Sequence, residues 1–128
     1  MILNHIAIIV SSEKGVDFYK ALGFEEVSRE IRDGANHDVL VYLTDKMTTL
    51  EIYVDPTHPK RVTSPEAYGL RHLCFEVERI DEFAGKWGAE VKEGKSGRFC
   101  FIYDPDGLPI EIKEMKMKRP EGNEMWSE

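Results

Sequence analysis

Asn4-His5-Ile6-Ala7-Ile8-Ile9-Val10 is a short apolar run with one histidine near its start, and the chain uses that pattern twice. The second copy is Arg71-His72-Leu73-Cys74-Phe75-Glu76-Val77. Each copy is followed by a helix-like segment. Each then leads to a carboxylate between branched apolar residues, Leu50-Glu51-Ile52 in the first half and Ile110-Glu111-Ile112 in the second. A chain that repeats itself and plants one His and one Glu in each copy can bring four such groups to one point.

The positions support a duplication. His5 to His72 is a step of 67, Phe18 to Phe83 and Gly23 to Gly88 are steps of 65, and Glu51 to Glu111 is a step of 60. The drift places extra residues between helix and hairpin in the first copy. Leu3 to Val10 reads as a buried strand. Ser12 is an N-cap, and Val16, Tyr19 and Leu22 recur at helical spacing until Gly23. Phe24 to Ile31 is a second strand, and Asp33-Gly34-Ala35-Asn36 is a turn. Val39 to Leu43 and Leu50 to Val54 form a hairpin across Thr44 to Thr49.

The second half repeats this order. Gly69 to Val77 is a strand, and Ile80, Phe83, Ala84 and Trp87 share one helical face before Gly88. Glu90 to Lys92 is a short strand. Arg98 to Tyr103 and Leu108 to Met115 flank the turn Asp104-Pro105-Asp106-Gly107. The expected fold class is therefore α+β: two βαβββ repeats, residues 1–55 and 69–115, forming a curved, mostly antiparallel sheet of half-barrels with helices outside. Together they make a single domain over 1–115. Asp55 to Gly69, with three prolines, is a linker or covering loop. Residues 116–128 are a charged C-terminal tail in which Met125 and Trp126 could dock on a neighbouring surface.

Composition narrows the function. The 17 Lys and Arg against 24 Asp and Glu give a net charge of −7, the wrong sign for a nucleic-acid or anionic-membrane surface. The longest apolar runs are five residues, as in Ile6 to Val10 and Val39 to Leu43, where a bilayer needs about 20. The N-terminus carries no signal-peptide pattern. Cys74 and Cys100 lie in apolar runs and read as reduced, buried thiols of a cytoplasmic protein.

Strand alternation puts His5 on a face with Ala7 and Ile9, and His72 with Cys74 and Glu76. Glu51 and Glu111 either face solvent or, facing inward, need a partner, because an unpaired buried charge is very costly. One divalent metal would satisfy two inward His and two inward Glu together. Imidazole and carboxylate donors suit Zn, Ni, Co, Fe or Mn, with room left for water or substrate. His37 and His58 fail the strand-and-repeat test and are expected at the solvent. Arg71 alternates to the face opposite His72 and is expected to be structural. Arg61 and Arg98 are looser candidates for an anionic substrate.

At these residues the chain resembles the vicinal oxygen chelate superfamily, which includes glyoxalase I, fosfomycin- and bleomycin-resistance proteins, extradiol dioxygenases and methylmalonyl-CoA epimerase. The matching segments are Asn4-His5-Ile6-Ala7-Ile8, Phe18-Tyr19 through Leu22-Gly23-Phe24, Gly69-Leu70-Arg71-His72-Leu73, and Asp104-Pro105-Asp106-Gly107 leading into Ile110-Glu111. The His5, Glu51, His72, Glu111 set is similar to that of glyoxalase I, whereas dioxygenases and fosfomycin enzymes use two His and one Glu.

The resemblance implies a metal-dependent lyase or isomerase. The metal would act as a Lewis acid on a small 2-oxoaldehyde-type substrate or its thiol adduct, stabilising an enediolate. Glu111, with Glu51 as its counterpart, would carry the proton while His5 and His72 stay fixed. It also implies a homodimer, with the centre formed within one chain or across two. Where bacterial glyoxalase I has an arginine and an asparagine that help hold glutathione, this chain has Ile9 and Asp55. The alternatives are an oxygenase or resistance-type transferase of the same superfamily, and a non-catalytic module that binds a drug or metabolite.

Overall fold

The structure, a computed structural model, describes residues 1–32 and 38–116. Its elements are β1 (Ile6–Val10), α1 (Glu13–Ala21), β2 (Glu25–Ile31), β3 (Val39–Thr44), β4 (Thr49–Val54), β5 (Leu73–Val77), α2 (Ile80–Trp87), β6 (Lys92–Gly94), β7 (Gly97–Tyr103) and β8 (Pro109–Glu114). The order is βαβββ twice, so the fold class is the α+β arrangement expected from the repeat. The 33–36 turn, His37, Met125 and Trp126 lie outside the described residues.

The chain divides into two compact units. The first holds residues 1–65 and the turn 104–107; the second holds 66–103 and Leu108 onward. Each has one four-stranded mixed sheet, ordered β1-β4-β3-β2 in the first and β5-β8-β7-β6 in the second. In both, the opening strand runs parallel to the last one, and the other pairings are antiparallel. A helix between the first two strands lets the chain return in the same direction, as parallel pairing requires.

In the first unit α1 packs on β1 and β4. Ser12 caps the helix by accepting from the Lys14 N–H at 3.3 Å, with Glu13 in the first turn and Lys20 in the last. Below it Val10, Val16, Tyr19, Val41, Leu43, Leu50 and Ile52 are fully or almost fully buried. Each large aliphatic side chain so buried contributes about 1.5–3 kcal/mol. Gly15 is needed by the approach of helix to strand, since a Cβ there would stand 2.5 Å from Val10 Cβ. In the second unit α2 packs on β7 and β8, burying Ile80 and Ala84 over Cys100, Ile102, Ile110 and Ile112. Gly88 ends that helix at φ 66°, a left-handed conformation that favours glycine.

Three expectations need correction. The opening strands are shorter than the apolar runs: β1 starts at Ile6 and β5 at Leu73, so each histidine stands just ahead of its strand. The short strand before the last hairpin is Lys92–Gly94 rather than 90–92. Both cysteines are free, but only Cys100 is buried; Cys74 is exposed. Cys74 alternates with the buried Leu73 and so faces away from α2, an outcome its apolar neighbours in sequence conceal.

Candidate metal centre

In the first unit β4 sets Glu51 between its two strand neighbours. Ala7 of β1 and Tyr42 of β3 are its partners in register. Leu50 and Ile52 point to the buried face, so alternation turns Glu51 to the opposite, open one. His5, just before β1, reaches the same spot, and its Nε2 lies 3.2 Å from Glu51 Oε2. In the second unit β8 places Glu111 in register with Cys74 of β5 and Phe101 of β7. His72 Nε2 stands 3.1 Å from Glu111 Oε1. All four side chains are half-buried or nearly so, with 38% and 17% exposure in the first pair and 23% and 20% in the second. Each unit thus offers a pair that is sheltered but reachable.

The remaining polar atoms of each pair are engaged by neighbours. Asn4 Oδ1 lies 2.7 Å from His5 Nδ1, so that nitrogen donates. Both ring nitrogens of His5 then face oxygen acceptors, and Nε2 needs either a proton or a cation between it and Glu51. His72 differs. Its Nδ1 is 3.0 Å from Arg71 Nη1, a donor, so Nε2–H donates to Glu111. Phe101 meets the His72 ring edge-on, centroids 5.4 Å apart. Tyr53 donates its hydroxyl to Glu51 Oε1 at 3.1 Å. Burial first, then that hydrogen bond, raises the Tyr53 phenol above its ordinary value and keeps it a donor. The Cys74 thiol is pushed up to about 11 by partial burial, then by the Glu111 charge and a hydrogen bond to it.

The donor chemistry fits a divalent metal. Metal–nitrogen and metal–oxygen bonds of about 2.0–2.2 Å at near right angles put two donors about 3 Å apart. That is the spacing of each His–Glu pair. Among the described residues no three His, Cys, Asp or Glu side chains gather at metal-holding geometry; each unit carries one His–Glu pair.

The other candidates fall elsewhere. Arg71, expected to be structural, contacts His72 and Glu66; because His72 precedes β5, strand alternation does not separate the two. Arg98 pairs with Asp81, Glu93 and Glu114. His58 is exposed and lies 3.6 Å from the buried Asp55. With Arg61, Lys60 and Asp106 these two line a cleft of about 610 Å³ in the first unit. Tyr53 was missed, although its place two residues beyond Glu51 on one strand face was legible.

The chain belongs to the Glyoxalase/Bleomycin resistance protein/Dioxygenase superfamily, whose pattern matches residues 2–112. Among its relatives is the uncharacterized protein YwkD of Bacillus subtilis, 35% identical over 122 residues, covering 88% of this chain and 95% of that protein. A solved glyoxalase family protein from Enterococcus faecalis is 33% identical with a TM-score of 0.78, covering 88% of this chain and 97% of that one. The fosfomycin resistance protein FosX of Listeria monocytogenes shares the fold at 21% identity, TM-score 0.67, covering 91% of this chain and 96% of that one. A point mutant of that protein was crystallised with Mn(II) and 1S,2S-dihydroxypropylphosphonic acid. No helix among the described residues is long and apolar enough to cross a membrane.

Proposed function

We propose that this protein is a divalent-metal-dependent lyase or isomerase of the glyoxalase I type, moving a proton between adjacent carbons of a small 2-oxoaldehyde or its thiol adduct. The observation that carries the reading is the pair of His–Glu contacts at 3.2 and 3.1 Å, one on the open face of each sheet. Together, from one chain or from two copies, His5, Glu51, His72 and Glu111 make a four-donor set of a kind that suits Zn, Ni, Co, Fe or Mn. The Mn(II) in FosX is consistent with a divalent ion in this fold.

When bound, the metal would supply Lewis acidity toward the substrate's oxygens, and His5 and His72 would be the residues to hold it through Nε2. Glu51, its second oxygen tied to Tyr53, stays in place. Glu111 takes the proton from one carbon and returns it to the next, which requires a carboxylate held close yet able to move. Phe99 and Phe101, at 6.1 Å and perpendicular, give Glu111 an apolar flank against the substrate's hydrocarbon part.

Glutathione is not the thiol carrier in this reading. Ile9 is apolar and 53% exposed, and Asp55 is buried with its Oδ1 accepting from Thr57. Neither offers a donor to an anionic tripeptide.

The test combines metal analysis with turnover. Wild-type protein should hold one divalent ion per chain, and a His5→Ala, His72→Ala double variant should hold none. Glu111→Gln should keep the fold, weaken metal binding and abolish proton exchange. Methylglyoxal should be turned over equally well with and without glutathione. Unchanged metal content in the double variant overturns the centre. Binding of a small molecule that survives metal removal supports a non-catalytic module instead.

A further inference from the structure

Glu51 and Glu111 occupy corresponding places but are held differently. One Glu51 oxygen accepts the Tyr53 hydroxyl at 3.1 Å and the other faces His5 at 3.2 Å. Tyr53 is itself pinned. The Arg32 guanidinium lies over its ring, 5.1 Å from the centroid. Arg32 in turn pairs with buried Asp38: Nε is 3.1 Å from Oδ1 without hydrogen-bond geometry, and the Arg32 N–H donates to the Asp38 carbonyl at 2.7 Å. A chain of contacts thus runs from the buried Asp38 through Arg32 and Tyr53 to the carboxylate.

Among the described residues the second unit has no such arrangement. The residue two beyond Glu111 is Lys113, whose Nζ donates to Ser96 at 2.6 Å. Phe101, the neighbour in register on β7, has no donor, and Ala7 in the first unit is replaced by Cys74 in the second. A thiol is a weak donor compared with a phenol.

We propose that Tyr53 is a positioning residue for the metal centre. Its hydroxyl fixes Glu51 Oε1, presents Oε2 beside His5 Nε2 as the ligating oxygen, and so makes the first-half pair the tighter half of the donor set. This rests on the four-donor reading above. It adds a division of labour: the clamped carboxylate anchors the ion, and the one backed only by a thiol is left to move.

Co(II) is the probe, titrated into metal-free full-length protein against a chromophoric chelator, with its visible absorption recorded at saturation. Tyr53→Phe keeps the ring under Arg32 and removes only the hydroxyl. It should weaken Co(II) binding about 10- to 100-fold, the usual cost of losing a group that orients a ligand, and should shift the Co(II) bands. Cys74→Ala should change affinity by less than about threefold, as expected for a weak donor. Arg32→Met leaves the hydroxyl and loosens the ring, so it should fall between. It also carries the test if Tyr53→Phe fails to fold by circular dichroism.

Wild-type affinity and bands in Tyr53→Phe overturn the proposal and leave the four-donor reading standing. An equal loss in Cys74→Ala overturns the asymmetry. Failure of the wild type to bind Co(II), or undiminished binding in the His5→Ala, His72→Ala variant, removes the four-donor reading and this inference with it.

Discussion

The two helices solve the same docking problem with their large and small residues exchanged. In α1 the small residue comes first and the large one a turn later: Gly15, then Tyr19. In α2 the order is reversed: Ile80, then Ala84. Both pairs are four residues apart, and each position in α2 lies 65 beyond its counterpart in α1. A duplicated unit can keep its packing while its sequence diverges if one helical position gains what its neighbour loses. The exchange has a chemical by-product. The large residue of α1 is a tyrosine whose hydroxyl donates to Asp104 Oδ2 at 2.8 Å, tying the helix to the 104–107 turn of the same unit. The large residue of α2 is aliphatic and can do nothing of the kind.

The sharpest way to break this comparison is to delete the large member on the side that has only apolar contacts. Ile80→Ala should cost about 2–5 kcal/mol in denaturant unfolding, because Ile80 is fully buried and its removal leaves a cavity. Gly15→Ala should also destabilise, but less. Alanine gains up to about 1 kcal/mol of helix propensity. Against that, its Cβ would meet three Val10 atoms at 2.5–2.9 Å, and overpacking of this kind costs about 1–3 kcal/mol. A stabilised Gly15→Ala would mean that helix and strand are further apart than described, and the exchange would lose its first half.

Tyr19→Phe tests the by-product. It keeps the packing and removes a hydrogen bond to a carboxylate, about 1.5–3 kcal/mol. The pH dependence separates the two roles. Burial first, then the Asp104 charge and hydrogen bond, raise the Tyr19 phenol far above its ordinary value of 10.0. Above that pH the unfolded phenol loses its proton while the folded one keeps it. The folded state then binds more protons, so stability falls as pH rises. The contribution is fully present below pH 10 and is lost in alkali. Phenylalanine should remove that part of the alkaline slope, measured as unfolding free energy between neutral pH and alkali. An unchanged slope would assign it to Tyr42 and Tyr53, whose phenols are also raised.

Much of this was legible in the sequence because it is periodic. The two helices, both hairpins and the repeat itself follow from spacing, whereas the face taken by Glu51 and Glu111 stayed open between solvent and interior until the sheets were seen. What failed lay at the ends of elements or in three-dimensional fit. His5 and His72 stand before their strands, where alternation has no force, so the contact between Arg71 and His72 could not be foreseen. Asp104 reads as an ordinary turn residue, and nothing local announces that a buried phenol will find it. Gly15 reads as a weak point in a helix; only the proximity of Val10 shows why it is there. Cys74 looked like core because its neighbours are apolar, but one step along a strand reverses the face.

The smallest expected effect concerns a feature the two units share. In each, an arginine on a strand reaches an acidic residue in the first turn of the helix: Arg29 to Glu13 at 3.2 Å, and Arg98 to Asp81 at 2.6 Å. Arg29 also holds Glu26 at 2.7 Å, with Lys20 on the same carboxylate at 2.9 Å. These side chains are solvated, so replacing Arg29 by Met should cost at most about 1 kcal/mol, and less in salt. Its signature is in acid. The hydrogen bond from Arg29, then that from Lys20, lower Glu26 from 4.5 to about 2, so its contribution is present above pH 4.5 and lost as pH falls toward 2. Arg29→Met should flatten the acid limb of the stability curve. Arg98→Met, which removes the pairs to Asp81, Glu93 and Glu114, is the matching variant in the second unit. A matching acid limb in both variants would show that the two strand-to-helix pairs are equivalent and that the Glu26 cluster adds nothing of its own.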